Sequence, residues 1–302
     1  MNRFAPVARK ASARTVFLEV AAKKHEKQSC YSQNAGFVVY CKRKRLKLDE
    51  VSASSKEGRA KMFITDRTQL KKYNSENRLW QGIPGIAVTP KGRTFLTFYS
   101  GRTKEQIGNF AVLIKADRGE EFGEPIAAAF WENHRCYDPC LWLDPLGRLW
   151  FTWACAPDHA VYAVICDDPD AEKLQWSKER IIGKDVMMNK PTVLSTGEWL
   201  FPIAVWDSGI RAVSCEYDSQ ETDHGSFVYK TVDNGVSFTK YGKAEVKRRS
   251  FDEHMVLEFR DGSLGMYVRT FYGIGVSYSF DQGKTWTEGT DSGFGGPCSR
   301  FF

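Results

Sequence analysis

The sequence predicts an all-β protein built as a β-propeller, and three observations lead to this prediction. First, four segments repeat one pattern: an apolar run, a turn that contains glycine, and a second apolar run. Second, a further strand-like run follows each of these segments. Third, a short Asp-x-Gly-x-x-aromatic turn recurs along the chain. Repeats of about 50 residues that each hold several strands are typical of propeller blades.

Each of the four segments predicts a β-hairpin, because β-branched and aromatic residues fill both runs and glycine supplies the turn. The segments are GIPGIAVTPKGRTFLTF (82–98), DPCLWLDPLGRLWFTW (138–153), NKPTVLSTGEWLFPI (189–203) and EHMVLEFRDGSLGMYV (253–268). Their turn glycines are 55, 50 and 65 residues apart, at Gly92, Gly147, Gly197 and Gly262. We predict that these hairpins form the two inner strands of successive blades.

The remaining strands and turns follow from the same repeat. The predicted third strands are NFAVLIKA (109–116), AVYAVICD (160–167), GIRAVSCEY (209–217) and GIGVSYSF (273–280). The Asp-Gly turns are KADRGEEF (115–122), TVDNGVSF (231–238) and SFDQGKTW (279–286), and DDPDAEKLQW (167–176) is predicted to be the same turn with an insertion. An aspartate in such a turn can bond its own backbone. We therefore predict a structural role for Asp117, Asp233 and Asp281.

Composition divides the chain into two parts. Of the 302 residues, 42% are hydrophobic and 14% aromatic, enough for a folded core. The net charge of +6 is concentrated in the first 50 residues, which include CKRKRLK (41–47). The start, MNRFAPVARKASARTVF (1–17), resembles a basic organelle presequence, although a poorly ordered tail is favoured. We predict a basic, poorly structured or atypical segment over residues 1–75 and the propeller over residues 76–302.

Several classes of protein are disfavoured by the composition. No apolar run reaches the roughly 20 residues of a transmembrane helix, and no secretory signal is recognisable. The eight cysteines lack the paired spacing of a zinc site, and free thiols are expected. The sequence predicts no metal, no other cofactor, no nucleic-acid partner and no membrane span. It predicts neither an oligomeric state nor a compartment.

Propeller geometry predicts where a ligand would bind. The residues just before each first strand and just after each second strand converge on one mouth at the axis. They include cations, carboxylates and aromatics: Arg102, Arg135, Asp138, Asp158, His159, Lys190, Trp206, Asp207, Glu253, His254, Arg269, Tyr272 and Arg300. This mixture favours a site for a polar or anionic ligand. The simpler interpretation is a set of ordinary solvated loop residues.

From about Arg78 to Phe302 the sequence resembles the sialidase (neuraminidase) superfamily, also called the BNR or Asp-box family. Besides the Asp-Gly turns, three segments carry the resemblance: GIPGIAVTPKGRTFLTFYSGR (82–102), YDPCLWLDPLGRLWFTW (137–153) and DEHMVLEFRDGSLGMYVR (252–269). The resemblance implies a six-bladed propeller, of which about four to five blades are present here. Because SRFF (299–302) looks like the start of a further strand, we expect the chain to be truncated at its C-terminus.

The resemblance also implies roles for single residues. Glu253 matches the glutamate that polarises the family's tyrosine nucleophile. Arg269 matches one arginine of the triad that grips the sugar carboxylate, and Arg102 matches a pocket arginine. Two departures stand out: Gly82 occupies the place of a family arginine, and Glu105 is the only acid near the place of the acid/base aspartate.

The favoured function is therefore an enzyme, an exo-acting glycoside hydrolase for a terminal sugar, neutral or acidic, of a glycan or polysaccharide. The candidate catalytic residues are Glu253, His254, Asp138 and Asp207. The candidate substrate-binding residues are Arg102, Arg135, Lys190, Arg269, Arg300, Trp206 and Tyr272. Two alternatives remain: a carbohydrate-binding propeller without catalysis, and a polysaccharide lyase with His254 as base and Arg135 or Arg269 beside a uronic-acid carboxylate.

Overall fold

The computed structural model describes residues 62–207, 221–296 and 300. Within them, almost all regular structure is β, arranged in four antiparallel sheets that are the blades of a propeller. The predicted fold class is thereby confirmed, with four blades in the described part of the chain. The expected start of a fifth blade falls on residues 299–302, of which only Arg300 is described.

The blades follow one another along the chain. Blade 1 consists of β1 (Phe63–Ile64), β2 (Trp80–Val88), β3 (Thr94–Gly101), β4 (Phe110–Ala116) and β5 (Ala127–Ala129). Blade 2 consists of β6 (Arg135–Leu143), β7 (Leu149–Ala156), β8 (Ala160–Cys166) and β9 (Arg180–Lys184). Blade 3 consists of β10 (Thr192–Val193), β11 (Trp199–Val205), β12 (Gly225–Thr231) and β13 (Thr239–Ala244). Blade 4 consists of β14 (Arg249–Glu258), β15 (Leu264–Thr270), β16 (Gly273–Ser279) and β17 (Thr290–Asp291).

The four predicted hairpins are present as the pairs β2–β3, β6–β7, β10–β11 and β14–β15. Glycine is needed in their turns because the backbone there is left-handed, with φ of 91° at Gly92 and 99° at Gly197. Three predicted third strands also agree with β4, β8 and β16.

The predicted third strand of blade 3 is wrong. The strand that pairs with β11 is β12, Gly225–Thr231, and the predicted run 209–217 lies outside the described residues. Both runs are rich in β-branched and aromatic residues, so pattern alone does not separate them. The strand that is formed leads directly into the Asp-Gly turn at 231–238, as in blades 1 and 4.

A short helical segment precedes the first hairpin. Helix α1 (Arg67–Leu70) is capped by the carboxylate of Asp66, and short 3-10 helices follow at Lys71–Tyr73 and Ser75–Asn77. Because β1 pairs with β5, blade 1 begins before the predicted boundary at residues 75 and 76. Residues 1–61 of the predicted N-terminal segment lie outside the described residues.

The core consists of apolar layers between neighbouring blades. Phe95 and Phe151 belong to one cluster of blades 1 and 2, Trp150 and Phe201 meet between blades 2 and 3, and Leu200 lies with residues of blade 4 in the next layer. Full burial of each such side chain contributes about 1.5–3 kcal/mol. A further cluster covers the other face of blade 1, where Leu70 and Tyr73 pack against Phe98, Phe110 and Val112.

The Asp-Gly turns join third to fourth strands, and two of them have the predicted internal bonding. Asp233 accepts from the backbone N–H of Ser237 at 2.9 Å and from its hydroxyl at 2.5 Å. Asp281 accepts in the same way from Thr285, at 2.8 and 2.6 Å. The turn at Asp117 differs, because that carboxylate pairs with Arg93 and Lys115, which hold its pKa down at about 2.

Arginines in the hairpin turns of blades 1 and 2 donate hydrogen bonds to the Asp-Gly turn of the next blade. Arg93 of blade 1 donates to the carbonyls of Pro169 and Ala171 at 3.0 and 2.7 Å in the inserted turn of blade 2. Arg148 of blade 2 donates to the carbonyl of Asn234 at 2.7 Å in the turn of blade 3. The turns of blades 2 and 3 are therefore fastened to the preceding blade.

Candidate functional site

Three bulges at equivalent places in the inner strands direct side chains toward the axis. Ile83 in β2, Asp138 in β6 and Glu253 in β14 have φ of 42°, 47° and 44°, and each lies at a shift in strand register. Two of the three precede a proline, Pro84 and Pro139. A bulge interrupts the alternation of side chains between the two faces of a sheet, so these side chains can turn toward the axis, and Ile83 still packs in part against the apolar core. All three line one cavity.

The cavity has a volume of about 170 Å³ and takes residues from all four blades. Its lining is Ile83, Tyr99, Glu105, Arg135, Asp138, Met188, Trp206, Phe251, Glu253 and Arg269. Five of these were predicted site residues: Arg135, Asp138, Trp206, Glu253 and Arg269. The cavity thus combines three carboxyl groups, two guanidinium groups and several aromatic rings.

Asp138 is the most deeply buried carboxyl group of the cavity, with 3% of its surface exposed. Burial raises the pKa of Asp138 to about 7, and the charges of Glu105 and Glu253 act in the same direction. The cations Arg135 and Arg300 oppose this shift. Near neutral pH, Asp138 can therefore both hold and release a proton.

Glu253 is paired on one side only. Its Oε1 accepts from Nη1 of Arg269 at 2.7 Å, and its buried Oε2 has no hydrogen-bond partner among the described residues. Burial raises the pKa of Glu253, and the ion pair with Arg269 limits that rise. A buried acceptor without a partner is costly, which favours a ligand donor at this point.

Tyr99 and Glu105 form a second polar group on the blade 1 side. The Tyr99 hydroxyl donates to Glu105 Oε1, and Arg135 Nη2 donates to Glu105 Oε2 at 2.7 Å. A Cβ at Gly82 would lie 2.9 Å from the Tyr99 ring, so glycine at this position makes room for the tyrosine. The departure from the family pattern at Gly82 thus goes together with a tyrosine in the cavity.

Aromatic rings form the wall on the side of blades 3 and 4. The rings of Trp206 and Phe251 are 5.4 Å apart and nearly perpendicular, and Trp206 Nε1 donates to the Phe251 carbonyl at 3.1 Å. The backbone N–H of Trp206 donates to Asp185 Oδ2 at 2.8 Å, which fixes this wall from behind. An apolar wall opposite polar groups is typical of sites for sugars and other amphipathic ligands.

Arg300, a predicted substrate-binding residue, is used for structure. It donates to the backbone carbonyls of Met188, Ile83 and Pro139 at 2.7, 2.7 and 3.0 Å and so connects three blades at the axis. Arg300 and Lys190 line a neighbouring cavity of about 320 Å³.

Four further predicted residues lie away from the lining of the 170 Å³ cavity, as far as the described residues show it. Arg102 is exposed on the loop after β3. Tyr272 folds over Gly275, and Asp207 pairs with Arg249 at 2.5 Å. His254 is buried, its Nε2 donates to the Phe227 carbonyl at 2.8 Å, and burial lowers its pKa. Glu253 therefore lines the cavity, whereas the ring of His254 is held on the Phe227 carbonyl of blade 3.

Sequence reasoning missed four residues of the lining and named Glu105 only as a stand-in acid. The four missed residues are Ile83, Tyr99, Met188 and Phe251. The X-Pro pairs at 83–84 and 138–139 were the available signal for the bulges. No group of three His, Cys, Asp or Glu side chains within residues 62–207, 221–296 and 300 is arranged to hold a metal ion. In the same residues, no helix is long and apolar enough to cross a membrane.

Neither a protein-family model nor a curated protein matches the sequence. Solved structures do match. A protein of unknown function from Dyadobacter fermentans has a TM-score of 0.54 at 17% identity, covering 72% of this chain and 70% of that chain. The intramolecular trans-sialidase of Ruminococcus gnavus has a TM-score of 0.52 at 13% identity, covering 74% of this chain and 72% of that chain.

The leech intramolecular trans-sialidase has a TM-score of 0.52 at 14% identity, and here the match covers 72% of this chain but 51% of that chain. At such identities the likeness shows the fold alone. The predicted resemblance is confirmed at that level: sialidases are among the structural neighbours, and this chain has the β-propeller fold that they have.

Proposed function

We propose that this chain is a glycoside hydrolase that removes a terminal sugar from a glycan or polysaccharide. The observation that carries the proposal is the buried Asp138 carboxyl beside Glu253 in a cavity on the propeller axis. Glycoside hydrolysis generally uses two carboxyl groups that flank the scissile bond.

Asp138 suits the role of general acid. With a pKa of about 7, a substantial fraction of Asp138 is protonated at neutral pH and can donate to the leaving glycosidic oxygen. An ordinary aspartate, with a pKa near 4, would be almost fully ionised there. After Asp138 has donated its proton, its carboxylate can accept a proton from a water molecule.

Glu253 suits the second role. Its ion pair with Arg269 favours the carboxylate form, and its buried Oε2, which has no partner among the described residues, can accept a hydrogen bond from a bound water or a sugar hydroxyl. A carboxylate in this place can activate water or stabilise positive charge that develops on the sugar ring. Arg269 then acts as a positioning residue for Glu253.

The shape of the cavity supports a single terminal sugar. Its volume of about 170 Å³ lies below the range of about 300–1,000 Å³ that is typical of drug-sized ligands. The half-buried ring of Phe251, packed against the buried Trp206, offers a surface for the apolar face of one sugar ring. The trans-sialidases among the structural neighbours support a carbohydrate ligand on this fold.

The lyase alternative depends on His254 as base, and the burial of this ring on the Phe227 carbonyl speaks against it. The binding-module alternative predicts sugar binding without turnover, so an activity assay separates it from a hydrolase.

The test is hydrolysis of a panel of chromogenic terminal glycosides, sialosides included, by the wild type and two variants, Asp138→Asn and Glu253→Gln. We expect turnover of one sugar, with kcat/KM reduced about 10²–10⁴-fold in each variant. The exposed Glu121 provides the matched control, Glu121→Gln, which should retain full activity. Turnover that both variants retain would contradict the assignment of the site, and a folded protein without turnover of any sugar would contradict the function.

A further inference from the structure

We infer that Arg135 and Tyr99 form a binding site for the carboxylate of a sugar acid, and that the side chain of Glu105 occupies this site in the free protein. The inference rests on the proposed function in so far as the ligand is a sugar. Its direct evidence is that the Glu105 carboxylate is bound at both oxygens, one by the Tyr99 hydroxyl and the other by Arg135 Nη2 at 2.7 Å. The chain itself thus demonstrates that a carboxylate fits these donors.

The two donors are fixed in place. The side chain of Arg135 is 3% exposed, and its guanidinium group lies over the Tyr137 ring at 4.2 Å and the Tyr99 ring at 5.7 Å. Tyr99 is 2% exposed and packs against Trp80 edge to face. Donors held in this way need little rearrangement on binding, so they recognise a planar anion well.

Glu105 is held much less firmly than its partners. Its side chain is 53% exposed and comes from the loop between β3 and β4. An ion pair with a half-exposed partner contributes little to stability because water solvates the free carboxylate. The Glu105 carboxylate is therefore readily solvated when it leaves the site, and the cost of its departure falls on the buried Arg135 guanidinium group, which then favours another anion.

The replacement of the Glu105 carboxylate by a ligand depends on the charge of that ligand. A ligand that carries a carboxylate replaces Glu105 with an equivalent group. A neutral ligand that displaced Glu105 would remove the bonded carboxylate from buried Arg135, which is unfavourable. The site thus favours acidic sugars over neutral sugars of the same shape.

The exchange also preserves the proton of Asp138. The charge of Glu105 is one cause of the raised pKa of Asp138. A ligand carboxylate in the same place acts in the same direction, so the pKa of Asp138 stays raised when an acidic sugar is bound. Acid catalysis by Asp138 is then best supported with the ligand that the Arg135–Tyr99 site selects.

The experiment uses thermal unfolding of the full chain with the substitution Glu105→Ala, which empties the site. Sodium glucuronate is the probe, sodium acetate tests the carboxylate alone, and glucose in sodium chloride of equal ionic strength is the neutral control. We expect glucuronate at ten times its dissociation constant to raise the Tm of the variant by about 3–5 °C. The wild type should respond less, because Glu105 competes with the probe, and acetate should have a smaller effect than glucuronate.

Two further substitutions in the Glu105→Ala background define the site. Tyr99→Phe removes one hydroxyl group and should weaken the glucuronate response, and Arg135→Met should abolish it. Glu121→Ala, at an exposed position, is the matched control and should behave as the wild type. If Glu105→Ala does not fold, Glu105→Gln serves for the same comparison.

An equal response of the wild type and Glu105→Ala, a response that persists in Arg135→Met, equal effects of acetate and glucuronate, or no response would each overturn the inference. The readout does not involve turnover. A protein that hydrolyses no glycoside would contradict the proposed function and still leave the carboxylate site testable.

Discussion

Asp138 is surrounded by groups of both charges, and its ionisation couples the site to the stability of the fold. Arg135 and Arg300 favour the carboxylate, whereas burial and the charges of Glu105 and Glu253 favour the protonated form. Burial is the largest of these effects, so the folded protein binds a proton at Asp138 more tightly than the unfolded chain does.

This difference predicts a dependence of stability on pH. The pKa of Asp138 is about 7 in the folded protein and about 4 in the unfolded chain. Its contribution is therefore fully present below pH 4 and is lost as pH rises to 7, a change on the order of 4 kcal/mol. Asp138→Asn removes this titration. Between pH 5 and pH 8 the free energy of unfolding should therefore fall in the wild type by more than it does in the variant. Urea denaturation at both pH values measures the two changes, and a constant difference between the proteins would contradict the prediction.

Single residues also show what sequence reasoning could not reach. Asp138, Glu253 and Arg135 were predictable because they adjoin strand ends that a propeller brings together. Tyr99 was not, because its place depends on the space that Gly82 leaves on the neighbouring strand. His254 was misleading, since it is adjacent to Glu253 in sequence but its ring is buried on the Phe227 carbonyl.

The strands and hairpins were largely predictable because their signals are local. Period-2 patterning and a turn glycine lie within about 15 residues of one another, so β2–β3, β6–β7 and β14–β15 could be read directly. The bulge at Glu253, which no proline follows, could not, because a bulge is a mismatch in length between two paired strands. The third strand of blade 3 was mispredicted for a different reason. The runs 209–217 and 225–231 have similar patterns, and only the pairing with β11 identifies the second as the strand.

The outer strand of blade 3 gives a test of how elements pack. A Cβ added at Gly242 in β13 would lie 1.9 Å from the carbonyl oxygen of Gly283 and 2.9 Å from that of Lys284, both in the Asp-Gly turn of blade 4. Backbone cannot yield as a flexible side chain does. We therefore expect Gly242→Ala to lower the free energy of unfolding by about 1–3 kcal/mol, measured by urea denaturation.

The matched control for this substitution is Gly295→Ala, where a Cβ would meet nothing within 4 Å. It should change stability little. Equal free energies of unfolding for the two variants would contradict this prediction, because they would show that β13 and the turn can move apart without a loss of stability.

At the scale of the whole molecule, stability depends on how blades are joined. Arg180 of blade 2 donates to the carbonyls of Gly235 and Val236 in the turn of blade 3, the second at 3.0 Å, and lies over the rings of Trp150 and Phe238. Hydrogen bonds and cation–π contacts of one side chain thus connect blade 2 to the turn of blade 3, a connection that we call the joint.

We expect Arg180→Ala to loosen this joint. The turn at 233–238 should exchange its amide hydrogens about tenfold faster than in the wild type, with a smaller change in blade 1. Arg260→Ala, at an exposed position of blade 4, is the control and should leave exchange unchanged. Faster exchange spread evenly over all four blades would contradict a local joint and indicate general destabilisation.

The overall architecture was predictable from the repeat, whereas the boundary of the first blade was not. Blade 1 takes its edge strand, β1, from residues before its first hairpin, and this strand is only two residues long. Its pairing with β5 depends on a contact across more than 60 residues, which no local pattern records.

The bulges of the inner strands have a consequence for adaptation. Ile83, Asp138 and Glu253 stand at matching places in three blades, and all three line the cavity. Replacement of one of them alters the chemistry on the axis while the hairpin behind it keeps its packing. A protein engineer could therefore vary ligand preference from blade to blade on a constant scaffold, choosing the residues at 138 and 253 together because the charge of Glu253 raises the pKa of Asp138.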